Sequence, residues 1–302
     1  MIEENRFKMS DVRVSVIIPH KDDWDGLAKL LETIPSRENL EVIVVDDHSE
    51  TSPNNTKIKH PNMVMVHNDR DAVGAGAARN CGMAHARGGW LLFADADDTF
   101  MPGAFDVIES CVESDSDVVY FRPTSVREGT DKPSNRHTAY AALVDEFCLY
   151  ESEWIRLRFH PPWSKMVRKD HVLNNGFQFD ETLVANDLIF SLKIGMAARK
   201  VNAVQETIYC VTSSSSKGLS NKKGKKYFDI RFRNHVRYNQ LLKDNGYRKS
   251  QMSMLSLHRK ALRLGLFQFI TSIAKAILYR QPFRNHSDYA KLVRDRQNLN
   301  GH

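Results

Sequence analysis

The stretch Gly89-Trp90-Leu91-Leu92-Phe93-Ala94-Asp95-Ala96-Asp97-Asp98 constrains this chain more than any other. An apolar run long enough for one buried strand ends in three carboxylates within four positions. A strand buried on both faces belongs to a parallel sheet, and such sheets bind ligands at the carboxyl ends of their strands. Carboxylates crowded there repel one another unless a cation sits among them. A Mg²⁺ or Mn²⁺ ion held by one or two carboxylates plus substrate phosphates is the economical explanation. The plainer alternative is helix capping, with Asp97 or Asp98 at the start of the helix that Met101-Pro102-Gly103 opens. One cap needs one carboxylate, whereas three are present.

The rest of the chain repeats this theme. Val12 to Pro19 reads as a first strand, rich in β-branched residues and ended by proline. Trp24, Leu27, Leu30, Leu31 and Ile34 then recur at helical spacing. Leu40 to Asp46 is a second apolar strand, followed at once by Asp47, and Met63 to His67 is a short third. Ala77 to Ala86 reads as a small-residue helix, Trp90 to Ala94 as the next strand and Asp117 to Phe121 as another. This alternation predicts a doubly wound α/β sheet with right-handed crossovers, on which both Asp pairs lie along one edge. Thr124 to Trp163 reads as a loop and then an aromatic-rich helix with Phe147, Tyr150 and Trp154; a helix over Leu188 to Ile194 and a late strand over Val201 to Val211 follow.

Composition adds an asymmetry. Of the net charge of +6, the part from Lys217 onward carries 20 Lys and Arg against four Asp (+16), and the remainder 23 against 33 (−10). An acidic body with a basic tail predicts that the tail meets something anionic. Ser213 to Lys226 reads as a mobile basic loop. Beyond it, Leu255, Leu262, Leu266, Phe269, Ile273 and Ile277 form one apolar stripe among Arg259, Lys260, Arg263, Lys275 and Arg280. Arg263 and Lys275 make the run too polar to span a bilayer. It can lie in the plane of an anionic membrane surface, pack on the α/β body, or meet a second copy of the chain. The four cysteines are scattered without metal spacing and the first residues lack an apolar leader, so the expected setting is reducing and cytosolic.

A Gly-x-Gly at Gly74 and Gly76 opens the small-residue helix, and Arg79 follows. As a dinucleotide fingerprint it fails, because the third glycine is missing and the first strand lies elsewhere. As a helix start facing a diphosphate, with Arg79 as a phosphate-pairing cation, it is chemically sensible.

Taken in order, Val-Ser-Val-Ile-Ile-Pro, Val-Val-Asp-Asp-His-Ser, Ala-Arg-Asn-Cys-Gly and Phe-Ala-Asp-Ala-Asp-Asp resemble the blocks of glycosyltransferase family 2. Trp163-Ser164-Lys165-Met166 and Asn186-Asp187-Leu188-Ile189-Phe190 resemble later blocks of its bacterial surface-polysaccharide members. The resemblance covers Val12 to Val211, about two thirds of the chain. It implies the A-type glycosyltransferase (nucleotide-diphospho-sugar transferase) fold, a mostly parallel central sheet flanked by helices. It also implies an inverting, metal-dependent transfer of sugar from a nucleotide-diphosphate sugar to a glycan or lipid-linked hydroxyl. Asp47 matches the nucleobase-binding acid, with Pro19, His20 and Lys21 beside it. Asp95 and Asp97 match the Asp-x-Asp pair, Asp97 as the direct metal ligand for Mn²⁺ or Mg²⁺. Asp187 matches the general base, although Asn186 stands where the family usually has Glu.

These readings divide the chain into a catalytic domain, 11–212, and a basic helical segment, 213–302, for membrane-surface, acceptor or oligomer contact. A cytoplasmic enzyme, peripheral on the inner face of the membrane, is expected. Two rivals stand beside it. A nucleotidyltransferase would carry a Gly-rich basic loop after the first strand, where this chain has His20-Lys21-Asp22-Asp23-Trp24. A non-enzymatic nucleic-acid-binding protein would use the basic tail, but no recognised module is present there and no nucleic acid is expected.

Overall fold

Three strands lie buried along their whole length, side by side in the sheet. The computed structural model describes residues 12–52, 58–69, 71–72, 74–213 and 222–283. The first part of the chain runs β1 (Val14–His20), α1 (Trp24–Glu32), β2 (Leu40–Asp46), β3 (Met63–His67), α2 (Ala75–His85) and β4 (Trp90–Phe93). It continues with β5 (Thr99–Phe100), α3 (Ala104–Ser110), β6 (Val118–Arg127), α4 (Thr138–Tyr150), α5 (Trp154–Arg158), β7 (Lys165–Arg168), α6 (Lys169–Asn174), α7 (Leu188–Ala197) and β8 (Val201–Ser213). One eight-stranded sheet holds them in the order β3-β2-β1-β4-β7-β6-β8-β5.

β1 pairs in parallel with β2 and β4, β2 with β3, and β6 with β8, whereas β7 runs antiparallel to both β4 and β6, and β5 to β8. The sheet is therefore mixed and mostly parallel, as expected, with β7 as an antiparallel strand that the strand–helix alternation does not announce. This strand is only Lys165–Arg168 and begins after Ser164 at φ +55°, so it carries no long apolar run to betray it. Pro19 does not end β1, which continues to His20. The β4 ladder stops at Ile17–Phe93, so the absent proline N–H faces no unpaired strand on that side.

Alternation along the strands separates two apolar layers. Val14, Val16 and Ile18 pack with Leu27, Leu30 and Leu31 of α1 and with Phe105 and Ile108 of α3. Ile17, Val45, Leu91 and Phe93 face Ala78 and Cys81 of α2 and Phe190 and Ile194 of α7. Asp23 starts α1 by accepting from the Gly26 N–H at 3.2 Å. α2 lies close because its residues are small: a Cβ on Gly76 would meet the Asp180 carbonyl oxygen at 2.2 Å and Asn186 Cβ at 3.0 Å. Gly76→Ala is therefore expected to push α2 off the 180–186 loop at a cost of about 1–3 kcal/mol, read as a lowered Tm. An unchanged Tm would mean that this close approach contributes nothing.

β6 runs on to Arg127, beyond the expected end at Phe121, because β8 pairs with it as far as Ser213. The aromatic-rich helix is two helices, broken at Glu151 in the left-handed region (φ +51°). The residues read as a basic loop after Ser213 lie largely outside the described residues.

The C-terminal helices are α8 (Lys225–Asp244), α9 (Leu255–Arg263) and α10 (Leu266–Leu278), with a short 3₁₀ turn at Arg248–Ser250. Tyr238 and Leu242 of α8 share a core with Leu157, Leu188, Ile189 and Leu192 of the sheet-bearing body. Phe228 and Phe232 pack with Met254, Leu257, Ala261 and Ala276. The expected single stripe does not exist: Leu255, Leu262, Leu266 and Ile277 are exposed, and the buried line is Leu257, His258, Ala261, Ser272 and Ala276. Gly265, at φ +123°, ends one helix and starts the next, so the apolar phase is not carried across it. Among the described residues no helix is long and apolar enough to cross a membrane.

Candidate active site

The carboxyl edge of β1, β2 and β4 gathers most of the acids that the sequence singles out. β1 and β2 end in register, with His20 opposite Asp46. The loops beyond them are clasped by Asp22, itself in the left-handed region (φ +56°). Its Oδ1 accepts the N–H groups of Glu50 (2.8 Å) and Thr51 (3.0 Å) and the Thr51 hydroxyl (3.0 Å). Those donors, led by the Thr51 N–H, hold its carboxyl below the usual range. In return the Asp22 N–H donates to Ser49 Oγ at 3.0 Å, and the Ser49 hydroxyl donates to Asp46.

His20 lies at 2 % exposure, its ring 4.0 Å from that of Trp24 and its Nδ1 3.6 Å from Asp46. Burial lowers its pKa, although Asp46 opposes the shift. Among the described residues neither ring nitrogen finds a hydrogen-bond partner. Asp47 is buried and already engaged: Oδ1 accepts from Asn68 Nδ2 (2.8 Å) and Oδ2 from the Gly74 N–H (2.6 Å). Gly74 caps α2 at φ +111°, so Asp47 fixes where that helix begins. Pro19 is buried at the end of β1, and Lys21 is exposed, its charge acting on Asp22.

The other half of the site hangs on Arg79. This residue lies five positions along α2 from Gly74, roughly 7.5 Å up the helix axis. It is buried, and one guanidinium nitrogen donates to Asp95 Oδ1 (2.5 Å) while another donates to Asn186 Oδ1 (3.1 Å). Its guanidinium stands 5.4 Å from the Phe179 ring centre. A single cation thus joins the loop after β4 to the residue before Asp187. The guanidinium is turned to these two side chains, and its Nε is buried without a partner among the described residues. Asn186, in place of the family's usual Glu, accepts this bond without adding a third negative charge beside Asp95 and Asp187.

The three carboxylates after β4 have diverged. Asp95 binds Arg79, and its N–H donates to Tyr209 Oη at 2.8 Å. Asp98 is buried and accepts the Thr212 N–H at 2.6 Å; burial, with Asp95 and Asp97 nearby, raises its pKa well above the ordinary value. Water reaches Asp97, yet desolvation by the surrounding protein and the charge of Asp95 lift its pKa to about 6. None of them caps a helix, since α3 starts at Gly103 with no side-chain cap. Among the described residues no three metal-ligating side chains converge. Asp95 and Asp97 still fit a hard cation of the kind that takes its remaining oxygens from a diphosphate and water, because their mutual repulsion is what such an ion would relieve.

Asp187 stands at the N-cap position of α7 and makes no side-chain cap hydrogen bond, so what it offers that helix is its charge at the positive end of the dipole. Burial raises its pKa, opposed by the charges of Arg79 and Lys165. Lys165 is wholly buried, donating to the Phe159 carbonyl and Ser191 Oγ, each at 3.0 Å. Burial pulls its pKa down to about 7, against the pull of Asp187. The site thus includes Asp22, Asn68, Tyr209 and Lys165, which sequence reasoning assigned no part. Lys165 had a signal, a lysine inside an apolar segment; Tyr209 had none, because its partner is 114 residues away.

Acids at the carboxyl ends of β2 and β4, on a mixed sheet of this order, define an A-type glycosyltransferase fold. The crystal structure of Staphylococcus aureus TarS 1-349 in complex with UDP-GlcNAc superimposes with a TM-score of 0.63 at 21% identity, covering 89% of this chain and 81% of that one. The family model for Glycosyl transferase family 2 matches residues 15–176, more than half of the chain, and the chain belongs to that family. Among curated relatives, the uncharacterized glycosyltransferase YibD of Escherichia coli K12 is 24% identical over 218 residues, 65% of this chain and 60% of its own length. The minor teichoic acid biosynthesis protein GgaA of Bacillus subtilis 168 is 26% identical over 211 residues, 65% of this chain and 46% of its own. The chain therefore spans three fifths or less of the length of these two relatives.

Proposed function

We propose that this chain transfers a sugar, with inversion, from a nucleotide-diphosphate sugar to a hydroxyl of a glycan or lipid-linked acceptor in bacterial cell-wall or surface-polysaccharide synthesis. Residues 11–212 would carry the reaction, at the cytosolic face of the membrane, and 213–302 the basic helical attachment. The observation that supports this reading is Arg79 tying Asp95 to Asn186, the neighbour of Asp187, with the charges of Arg79 and Asp95 both acting on Asp187.

The nucleotide half lies at β1 and β2. Each Asp47 oxygen accepts one hydrogen bond and retains a lone pair for a nucleobase N–H, and the unpartnered His20 ring supports a ligand beside it. Asp97 and Asp95 would hold Mn²⁺ or Mg²⁺, which when bound neutralises charge gathering on the diphosphate leaving group. Asp187, desolvated and therefore more basic than an ordinary carboxylate, accepts the proton of the acceptor hydroxyl. The hydroxyl oxygen forms its bond to C1 on the face opposite the diphosphate as the bond from C1 to the diphosphate oxygen breaks, and the anomeric centre inverts.

The experiment is a thermal-shift screen of nucleotide diphosphates and their sugars, with Mn²⁺ and with EDTA, on wild type and Asp97→Asn. A ligand bound to the folded state raises Tm by mass action. Wild type is expected to respond to one nucleotide only with metal, and Asp97→Asn not to respond. The Asp97 carboxyl keeps its proton up to about pH 6 in the fold, against an ordinary 3.8. Its contribution to stability is therefore complete below 3.8 and lost as pH rises through about 6. Metal-free Asp97→Asn should thus melt higher than metal-free wild type above pH 6. A metal-dependent shift that survives in Asp97→Asn would remove this residue from the metal site.

A further inference from the structure

The C-terminal helices expose an apolar face that none of the described residues covers. Leu266, Phe267, Ile270, Ile277 and Leu278 of α10 recur at helical spacing, with Phe267 at 79 % and Leu278 at 73 % exposure. Leu262 and Leu264, at the junction with α9, are exposed as well. Burying α10 through Ser272 and Ala276 turns its small residues inward and its large ones outward, the reverse of an ordinary surface helix.

Charge identifies what would cover this face. From Asn245 to Ser287 the chain contains no Asp or Glu, while Arg259, Lys260, Arg263, Lys275 and Arg280 are exposed around the apolar residues. A second copy of the same face would bring like charges together without acids to offset them. A cavity of about 530 Å³ adjoins the end of α10, and among the described residues it is lined by Lys243, Arg248, Lys249 and Arg280, by Gln251, Gln281 and Pro282, and by no acid. Its base is built: Asn239, fully buried, donates to Gln281 Oε1 (2.9 Å) and the Met252 carbonyl (2.8 Å), and Gln251 donates to the Asn239 carbonyl (3.0 Å). Helix C-termini attract cations by themselves, which accounts for Lys243 and Arg280 but not for Arg248 and Lys249 on the separate turn.

We propose that α9 and α10 dock on an anionic phospholipid surface, with the exposed α10 residues in the acyl–headgroup boundary and the cationic cavity holding a lipid phosphate. Apolar insertion and attraction to anionic headgroups act together in such helices. The proposal does not depend on the transferase reading, because its test is binding.

The test is co-sedimentation of the full chain with vesicles of phosphatidylcholine alone or mixed with phosphatidylglycerol, at low and high salt. Wild type should pellet with the mixed vesicles and stay in solution with the neutral ones, and salt should release it. Phe267→Ser with Leu278→Ser, both at exposed positions, should abolish pelleting at unchanged Tm. Arg248→Gln with Lys249→Gln should weaken it about tenfold or more. Equal pelleting with neutral vesicles, or none with either, would overturn the proposal. So would a concentration-dependent dimer in sedimentation velocity that Phe267→Ser dissolves, which would make the face a contact between copies. A rise in Tm with glycerol phosphate, lost in the Arg248/Lys249 variant and unaccompanied by vesicle binding, would assign the cavity to a free phosphate ligand instead.

Discussion

Asp187→Asn is expected to bind donor as wild type does and to lose transfer by ~10²–10⁴-fold, the usual worth of a positioned proton acceptor. The substitution keeps size and removes only basicity. Asp187 makes no side-chain cap bond to α7, so its loss removes only the charge–dipole interaction, about 0.3–1 kcal/mol, and the variant should fold. The wild-type pH profile provides the second readout. Burial raises the Asp187 pKa, and only the ionised form accepts a proton, so the rate should fall as pH drops through a value above the ordinary 3.8. Transfer near the wild-type rate in Asp187→Asn, measured by single-turnover assay, would put the base elsewhere.

Arg79→Met should be the most damaging change to the site as a structure. It takes hydrogen bonds from Asp95 and Asn186 at once and leaves the Asp95 carboxylate beside Asp97 and Asp98 without its cation. Breaking a buried ion pair from one side costs about 3–5 kcal/mol, and the partial exposure of Asp95 puts this case at about the lower figure. Arg79 is also the foremost charge holding the Asp187 pKa down. Its loss should therefore move the acid limb of the rate profile to higher pH in whatever fraction stays folded. Arg79→Lys separates the two effects: an ammonium restores charge but not a fork spanning two side chains, so the limb should recover further than Tm. A Met variant with wild-type Tm and pH profile would show that the bridge has no role.

How much of this was legible from residue order depends on where each signal resides. β2 begins and ends where its apolar residues do, because a buried parallel strand writes its limits in composition, and β3, a half-buried edge strand, coincides with its own short apolar run. The placement of Asp46, Asp47 and Asp95 on one edge followed from strand direction alone. β7 was missed because a four-residue strand between β4 and β6 takes its identity from its neighbours, not from its own pattern. The single C-terminal stripe fails because helical periodicity does not carry through Gly265, the N-cap of a new helix. Occupation of side chains was not legible at all. Nothing local to Asp47 predicts that Asn68 and Gly74 already hold both its oxygens, nor that Asn186 accepts from a residue 107 positions earlier.

The start of α2 has a consequence for how this chain can change over generations. Its first residues run from Gly74, anchored on Asp47, to Arg79, anchored on Asp95 and Asn186. One residue added or removed between them would rotate the guanidinium by roughly 100° and shift it by about 1.5 Å. Surface loops absorb such length changes, but this spacer would not. Insertions and deletions between positions 74 and 79 should therefore be absent from every active descendant, whereas substitutions there need not be. The segment behaves as a ruler, setting the distance between the anchor on Asp47 and the anchor on Asp95 and Asn186.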